Sequence, residues 1–371
     1  MHLKELSEQD IIKRLTAILL SDSPTRVAET DVLRTSREDR QPSSGSGRFR
    51  PPLMRGVRVG PGHDAAVVTP NAGFDLVITC DQQVEGTHFD LELMGEEAVG
   101  RRALAAAVSD LAPFGATPLW ATIAVAASPE VRLETLEQVF RGLAWAADEL
   151  SAPFSSGGWS KLAFVGGDLA TTRGPIYLDI CVIGQRPSTW APGGRAGAKP
   201  GNTIYLSGPT GMAAGGFWLL TNQKTTFSGS EKLRKAFLWP EVELELGVRL
   251  WRDTRLTTCA DTSDSLSEQL RLLAEASDVG VQVSEDRLLL PPTLVVVAEA
   301  MGIEPVRLAL GGGEDFRLLV TGPAGLEQRE KGLVPIGKVL PREEGVRLLG
   351  LDGVRRELPG PMFSHFGGAT E

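Results

Sequence analysis

Apolar residues recur on one side of the segment 3–20, at Leu3, Leu6, Ile11, Ile12 and Leu15, and predict a short amphipathic helix. Residues 21–56 lose that period. Their run Ser36-Arg-Glu-Asp-Arg-Gln-Pro-Ser-Ser-Gly-Ser-Gly-Arg-Phe-Arg-Pro-Pro52 is polar and punctuated by Gly and Pro, which predicts a mobile loop. From Val57 the pattern alternates between β-branched runs and helical periods. Strands are predicted at 75–80, 119–126, 162–165 and 176–183, with helices at 96–116 and 131–150 between them. Residues 185–203 concentrate Pro and Gly and read as a domain boundary. Beyond it the chain predicts a strand at 203–207, helices near 213–222, 231–252, 265–277 and 292–302, and a strand at 316–321. The expected organisation is an N-terminal helix (1–20), a loop (21–56), one domain over 57–186 and a second over 187–371. The class is mixed α/β (α+β), without a repeat of fixed period.

Length agrees with two domains, since 371 residues exceed one ordinary core. Apolar residues form 42% and charged residues 23%, a globular composition, and no apolar run is long enough for a membrane span. The first residues carry acids and lack a signal-peptide pattern. Cys80, Cys181 and Cys259 are few and far apart, which argues against a disulfide framework and fits a cytoplasmic protein. The net charge of -9, from 38 basic and 47 acidic residues, argues against nucleic acid as the main partner. A polyphosphate ligand would therefore need its charge neutralised by something other than the chain's own balance.

The aspartates supply a candidate. Asp81 follows Leu-Val-Ile-Thr-Cys, Asp168 follows Ala-Phe-Val-Gly-Gly, and Asp261 and Asp264 follow Leu-Thr-Thr-Cys-Ala. Asp64 lies in a Gly-rich turn and Asp110 in a helical segment. Read as strand-end residues, such acids are placed to converge on one ligand site. A lone Asp after a strand is more often a helix cap or turn residue. As a set, hard carboxylate oxygens suit magnesium, and the cations would offset both their mutual repulsion and a polyphosphate. Gly208-Pro-Thr-Gly211 resembles a strand-to-helix turn but lacks the Lys-Ser/Thr of a P-loop, and a Rossmann GxGxxG fingerprint is absent.

Collinear segments then carry a resemblance to the thiamine-monophosphate kinase family, within the superfamily of aminoimidazole ribonucleotide and selenophosphate synthetases. They are Gly62-His-Asp-Ala-Ala-Val-Val, Thr79-Cys-Asp-Gln-Gln-Val-Glu-Gly-Thr-His-Phe, Val108-Ser-Asp-Leu-Ala-Pro-Phe-Gly-Ala, Val165-Gly-Gly-Asp-Leu-Ala-Thr-Thr-Arg-Gly and Arg195-Ala-Gly-Ala-Lys-Pro-Gly. Asp261-Thr-Ser-Asp-Ser-Leu, Gly312-Gly-Glu-Asp-Phe and Phe363-Ser-His-Phe follow in order.

The resemblance implies ATP-dependent, Mg2+-assisted phosphorylation of thiamine monophosphate. It implies a two-domain aminoimidazole ribonucleotide synthetase-like fold whose N-terminal sheets pair into a barrel across a homodimer. Asp64, Thr79, Cys80, Asp81, Asp110, Asp168, Asp261 and Asp264 correspond to metal positions, with Asp81, Asp110 and Asp168 central to catalysis. Cys80 would act through its carbonyl. Phe140, Gly167, Asp168, Arg195 and Ser263 correspond to nucleotide contacts. His88, Glu314 and Phe363 correspond to thiamine-phosphate contacts, an aromatic at 363 being suited to stack on a cationic thiazolium. His63, Cys80, Asn202 and Ser265 depart from the family pattern. The rival readings are a sister ATP-dependent synthetase acting on another acceptor, and a non-catalytic nucleotide-binding paralogue. The selenide-activating sister would need a reactive Cys near its N-terminus, and no Cys precedes Cys80.

Overall fold

The computed structural model describes residues 1–20, 56–61, 65–157, 161–191, 193–222, 227–253 and 255–363. The loop expected at 21–56 therefore lies outside the described residues except for Gly56, as do Asp64 and His63.

The N-terminal period yields a 3-10 turn at Leu3–Glu5 and helix α1 (Glu8–Leu19), split at Ser7. Ser7 is the N-cap, its hydroxyl accepting from the Asp10 amide. A short ladder of β1 (Val57–Val59) and β2 (Val67–Val68) follows, then β3 (Phe74–Val84), α2 (Leu91–Met94), α3 (Glu96–Ser109), β4 (Thr117–Ala127), α4 (Leu133–Ser151), β5 (Ala163–Thr171) and β6 (Tyr177–Pro187). Helix α3 stops earlier than its period predicts. Pro113 cannot continue it, so the chain forms a 3-10 turn (Ala112–Phe114) closed by Gly115 in the left-handed region.

Strands β3, β6, β4 and β5 form a four-stranded sheet in that order, antiparallel except for the parallel β4–β5 pair. Helices α3 and α4 cover one face, burying Leu178, Ile180 and Val182 completely. The two helices approach so closely that a Cβ on Gly100 would stand 1.8 Å from the Val139 carbonyl. The opposite face carries Leu76 and Ile78, which are 40% and 64% exposed.

The C-terminal half contains β7 (Thr203–Leu206), α5 (Met212–Thr221), α6 (Ser230–Leu238), α7 (Leu244–Asp253), β8 (Thr258–Asp261), α8 (Leu266–Ser277) and β9 (Gly280–Ser284). After these come α9 (Pro292–Met301), α10 (Pro305–Gly311), β10 (Leu318–Gly322), α11 (Leu326–Arg329), β11 (Val334–Leu340), β12 (Val346–Leu349) and β13 (Arg355–Glu357). The single helix expected over 231–252 is two, because Pro240 interrupts the amide ladder. Seven strands order as β13-β12-β9-β11-β7-β10-β8, antiparallel apart from β12–β9. Helix α8 packs Leu266, Leu270 and Leu273 against Val281, Val283 and Ile336.

The halves share a core. Leu104 and Leu111 belong to one apolar cluster with Phe237, Leu250, Trp251, Cys259 and Leu318. Trp251 donates its indole N–H to the Pro113 carbonyl at 2.7 Å. That packing sets the C-terminal end of α3 against β8. No helix among the described residues is long and apolar enough to cross a membrane.

Candidate active site

Alternation along β3 decides which acids can meet. Thr79, Asp81 and Gln83 pair with Val182, Ile180 and Leu178, whose side chains fill the helix-covered face, so they point to that face too. Asp81 is therefore inside a strand, not at its end as expected. Its carboxylate accepts from Gln83 Nε2 at 3.1 Å. Asp110 is the C-cap of α3 and accepts from the Thr79 hydroxyl at 2.5 Å. From the other half, Asp261 closes β8 and is almost fully buried. It accepts from Ser109 Oγ at 2.8 Å and Ser263 Oγ at 3.3 Å.

Charge ties these groups together. Burial first, then the neighbouring Asp110 charge, pushes both Asp81 and Asp261 up to about 6. Burial also raises Asp110, against the pull of the Thr79 hydrogen bond and Arg195, while Asp264 adds repulsion. Arg195 thus faces Asp110 and Asp261 electrostatically, and its Nε donates to Gln269 Oε1 at 2.9 Å. Gln269 in turn donates to Asp264 at 3.3 Å. Glu314 approaches from the loop before β10: its charge raises Asp81, its amide donates to the Ser263 carbonyl at 2.6 Å, and its carboxylate pairs with buried Arg102. The loop reaches this position because Gly313 lies directly over the Asp264 carbonyl, where a Cβ would stand 2.1 Å away.

The structure therefore gathers Thr79, Asp81, Asp110, Arg195, Asp261, Ser263, Asp264 and Glu314 at the seam of the two halves. His88 closes the turn after β3, its Nδ1 accepting from the Val84 amide at 3.0 Å. Phe363 is 55% exposed and follows Met362, whose amide donates to the Gly311 carbonyl beside the Glu314 loop.

Other expected residues stand apart. Asp168 is inside β5, not at its end, and its row runs through Ala124 and Asp179 to Gln82, on the uncovered face. Its neighbour Gly167 shares the Asp81 row through Ile123 and Ile180, so three strand spacings of about 14 Å separate the two edges. Phe140 is 6% exposed in the core of the N-terminal half. The Cys80 thiol also lies on the uncovered face, donating to Asp179 at 2.9 Å. That bond pushes it up to about 11, so the thiol stays protonated near neutral pH.

Two departures from the family pattern have local explanations. Ser265 is the N-cap of α8, its hydroxyl accepting from the Glu268 amide at 3.1 Å. Asn202 organises its turn, accepting from the Lys199 amide and the Thr257 hydroxyl.

The donors gathered here among the described residues are oxygens, which suits a hard cation. Among the described residues no three acidic, imidazole or thiol groups already enclose a metal position. Magnesium usually keeps waters and substrate phosphates with one or two carboxylates, so the donor set fits it without a closed cage. A cavity of about 290 Å³ lies elsewhere, lined by Arg101, Glu149, Pro240 and Arg249 among others. Its arginines are engaged by Glu149 and Glu330. The acidic seam is the chemically richer place.

Residues 62–185 match the family of AIR synthase related proteins, N-terminal domain. The chain is 33% identical over 269 residues to the thiamine-monophosphate kinase of Escherichia coli K12, covering 72% of this chain and 77% of that one. Among solved structures, the thiamine-monophosphate kinase of Stenotrophomonas maltophilia is 30% identical with a TM-score of 0.69, covering 81% and 92% of the two chains. That of Aquifex aeolicus is 26% identical with a TM-score of 0.65, covering 76% and 89%. The fold is that of the AIR synthase-like proteins, and the chain belongs to the thiamine-monophosphate kinase family.

Proposed function

We propose that this chain transfers the terminal phosphoryl group of ATP to the phosphate of thiamine monophosphate, with magnesium held at the seam by Asp81, Asp110 and Asp261 and supported by Asp264. The observation that carries this reading is the convergence of those acids from both halves beside Arg195. Bound magnesium would neutralise the phosphates of donor and acceptor, which otherwise repel. The acceptor oxygen is a phosphate oxygen already ionised near neutral pH, so the protein need not remove a proton. Its task is positioning and charge balance. Arg195 offers a planar fork to a phosphate, and Ser263 a hydroxyl. Glu314, His88 and Phe363 would receive the thiamine end. Family membership supports ATP as donor, and three widely spaced cysteines support a cytoplasmic site of action.

Asp64, Cys80 through its carbonyl, Gly167 and Phe140 remain in the reading on family resemblance alone, and Asp168 does so from the uncovered face. The proposed assembly is a homodimer in which those uncovered faces meet.

A coupled assay of ADP release, run across phosphorylated and unphosphorylated acceptors with and without magnesium, tests the whole. Release is expected with thiamine monophosphate and magnesium only. Release with another acceptor, or none with any, ends the proposal. Asp110→Asn should lower kcat at least about 100-fold, the scale of losing one preorganised electrostatic group. Asp168→Asn then decides the extent of the machinery: a comparable loss adds the uncovered face to it, and unchanged turnover confines it to the seam.

A further inference from the structure

We propose that Asp315 is a positioning residue for the acceptor: anchored on the first amides of α5, it holds the preceding residue, Glu314, in a left-handed backbone conformation with its carboxylate aimed at the seam. The inference rests on the reading that Glu314 receives the thiamine end.

Asp315 is 7% exposed. Its two oxygens accept from the Gly211 amide at 2.5 Å and the Ala213 amide at 2.9 Å. Those amides open α5, in the Gly208-Pro-Thr-Gly211 turn that carries no nucleotide-binding signature. Asp315 thereby fixes one point of the chain between two unusual ones. Glu314 has φ 59° and Phe316 has φ 50°, and both are left-handed without being glycine. Such conformations persist only where the surroundings over-determine them, and they concentrate at ligand sites.

The surroundings here do so. The Glu314 amide is held by the Ser263 carbonyl, the Arg317 amide donates to Thr262 Oγ1 at 3.0 Å, and Phe316 is buried. The Glu314 side chain is then delivered to Arg102, itself fixed by a 2.6 Å bond to the Phe237 carbonyl and by the Phe237 ring 4.2 Å away. Asp315 ties this three-residue kink to the start of α5, while Glu314 reaches Arg102 on α3. A plain capping role would stabilise α5 and leave the acceptor unaffected. The two roles therefore separate in kinetics.

The test uses the full chain at pH 8, with KM measured for both substrates in Glu314→Gln, Asp315→Asn and the double variant. Glu314→Gln should raise KM for thiamine monophosphate about tenfold, as expected for losing a charged hydrogen-bonding contact, with KM for ATP within about twofold. Asp315→Asn should raise the same KM several-fold, and the double variant should be no worse than Glu314→Gln alone, because one residue acts through the other. Multiplicative effects in the double variant, equal changes in both KM values, or an unchanged KM for thiamine monophosphate in Asp315→Asn overturn the positioning role while leaving Glu314 as a contact. An unchanged KM in Glu314→Gln removes the contact and the positioning role together. Should Asp315→Asn be insoluble, Asp315→Glu keeps the charge on the α5 amides and answers the same question.

Discussion

At the scale of single residues, the seam stores charge that the fold alone does not welcome. Asp261 has a carboxyl pushed up to about 6 by burial and by Asp110, against about 3.8 when unfolded. The sign follows. Between those values the folded chain binds the extra proton, so this group makes stability fall as pH rises from about 4 to about 6, and the cost is complete above both. In magnesium-free protein, Asp261→Asn should therefore raise Tm at pH 8 by about 2 °C or more, with the gain over the parent shrinking toward zero near pH 4. Calorimetry on the two proteins over that range checks it. The same variant should lose the rise in Tm that magnesium gives the parent. Equal melting at pH 8 would show that the carboxylate is not strained by its site. Asp81, Asp110, Asp261, Asp264 and Arg195 were legible as candidates because each sits in a short, chemically dense motif. Their partners were not: Ser109 meets Asp261 across 152 positions of sequence, and Arg102 meets Phe237 across 135. Nothing in an Ala-rich helix marks one arginine for complete burial; only the packing of the second half does.

At the scale of elements, periodicity located β3 to β7 and β10 and placed their ends poorly. The apolar run in β3 stops at Cys80, yet pairing continues through Asp81, Gln82 and Gln83 because β6 offers Ile180, Asp179 and Leu178 opposite them. Polar residues inside a strand look like a turn until the partner strand is known. That is why Asp81 and Asp168 were expected at strand ends, and why alternation sends Asp81 to one face while Asp168 lies on the other. A single helical period is expected across Pro240, where the chain divides α6 from α7; β9, β12 and β13 are short and mixed with polar residues, and Pro335 and Gly337 interrupt β11. Ser265 shows how an element can mimic a site. At a position where the resemblance implies glycine, its hydroxyl caps α8, and glycine is itself a tolerated cap. Ser265→Gly should therefore cost only a few tenths of a kcal/mol and leave kcat within about twofold, whereas Ser265→Ala should cost about 1 kcal/mol. Denaturant unfolding alongside the ADP assay measures both. A large gain in turnover on restoring glycine would mean that the serine restrains catalysis after all.

At the scale of the whole molecule, α3 and α4 cover one side of the N-terminal sheet. Its other face presents Leu76, Ile78 and Ala124 to solvent, with Ile78 directly opposite Ile183, and β1 and β2 shield just the end near Trp120. Exposed apolar side chains on one face, and edges that pair with no other strand among the described residues, are what support the proposed homodimer. In the proposed homodimer a second copy would supply a self-complementary partner, since a two-fold axis brings the same patch to both sides. Asp168 lies on that face, so pairing would also decide whether it can join the chemistry. Light scattering on the parent should give twice the chain mass, with a Tm that rises with protein concentration. Ile78→Glu places an unpaired charge at the centre of the apolar patch and should give the single-chain mass without unfolding the helix-covered core, which it does not touch. If turnover falls with the mass, the uncovered face contributes to the site. If the monomer turns over normally, the seam is sufficient by itself. A parent that remains monomeric at high concentration removes the dimer, and with it any route for Asp168 into the reaction that depends on a second subunit.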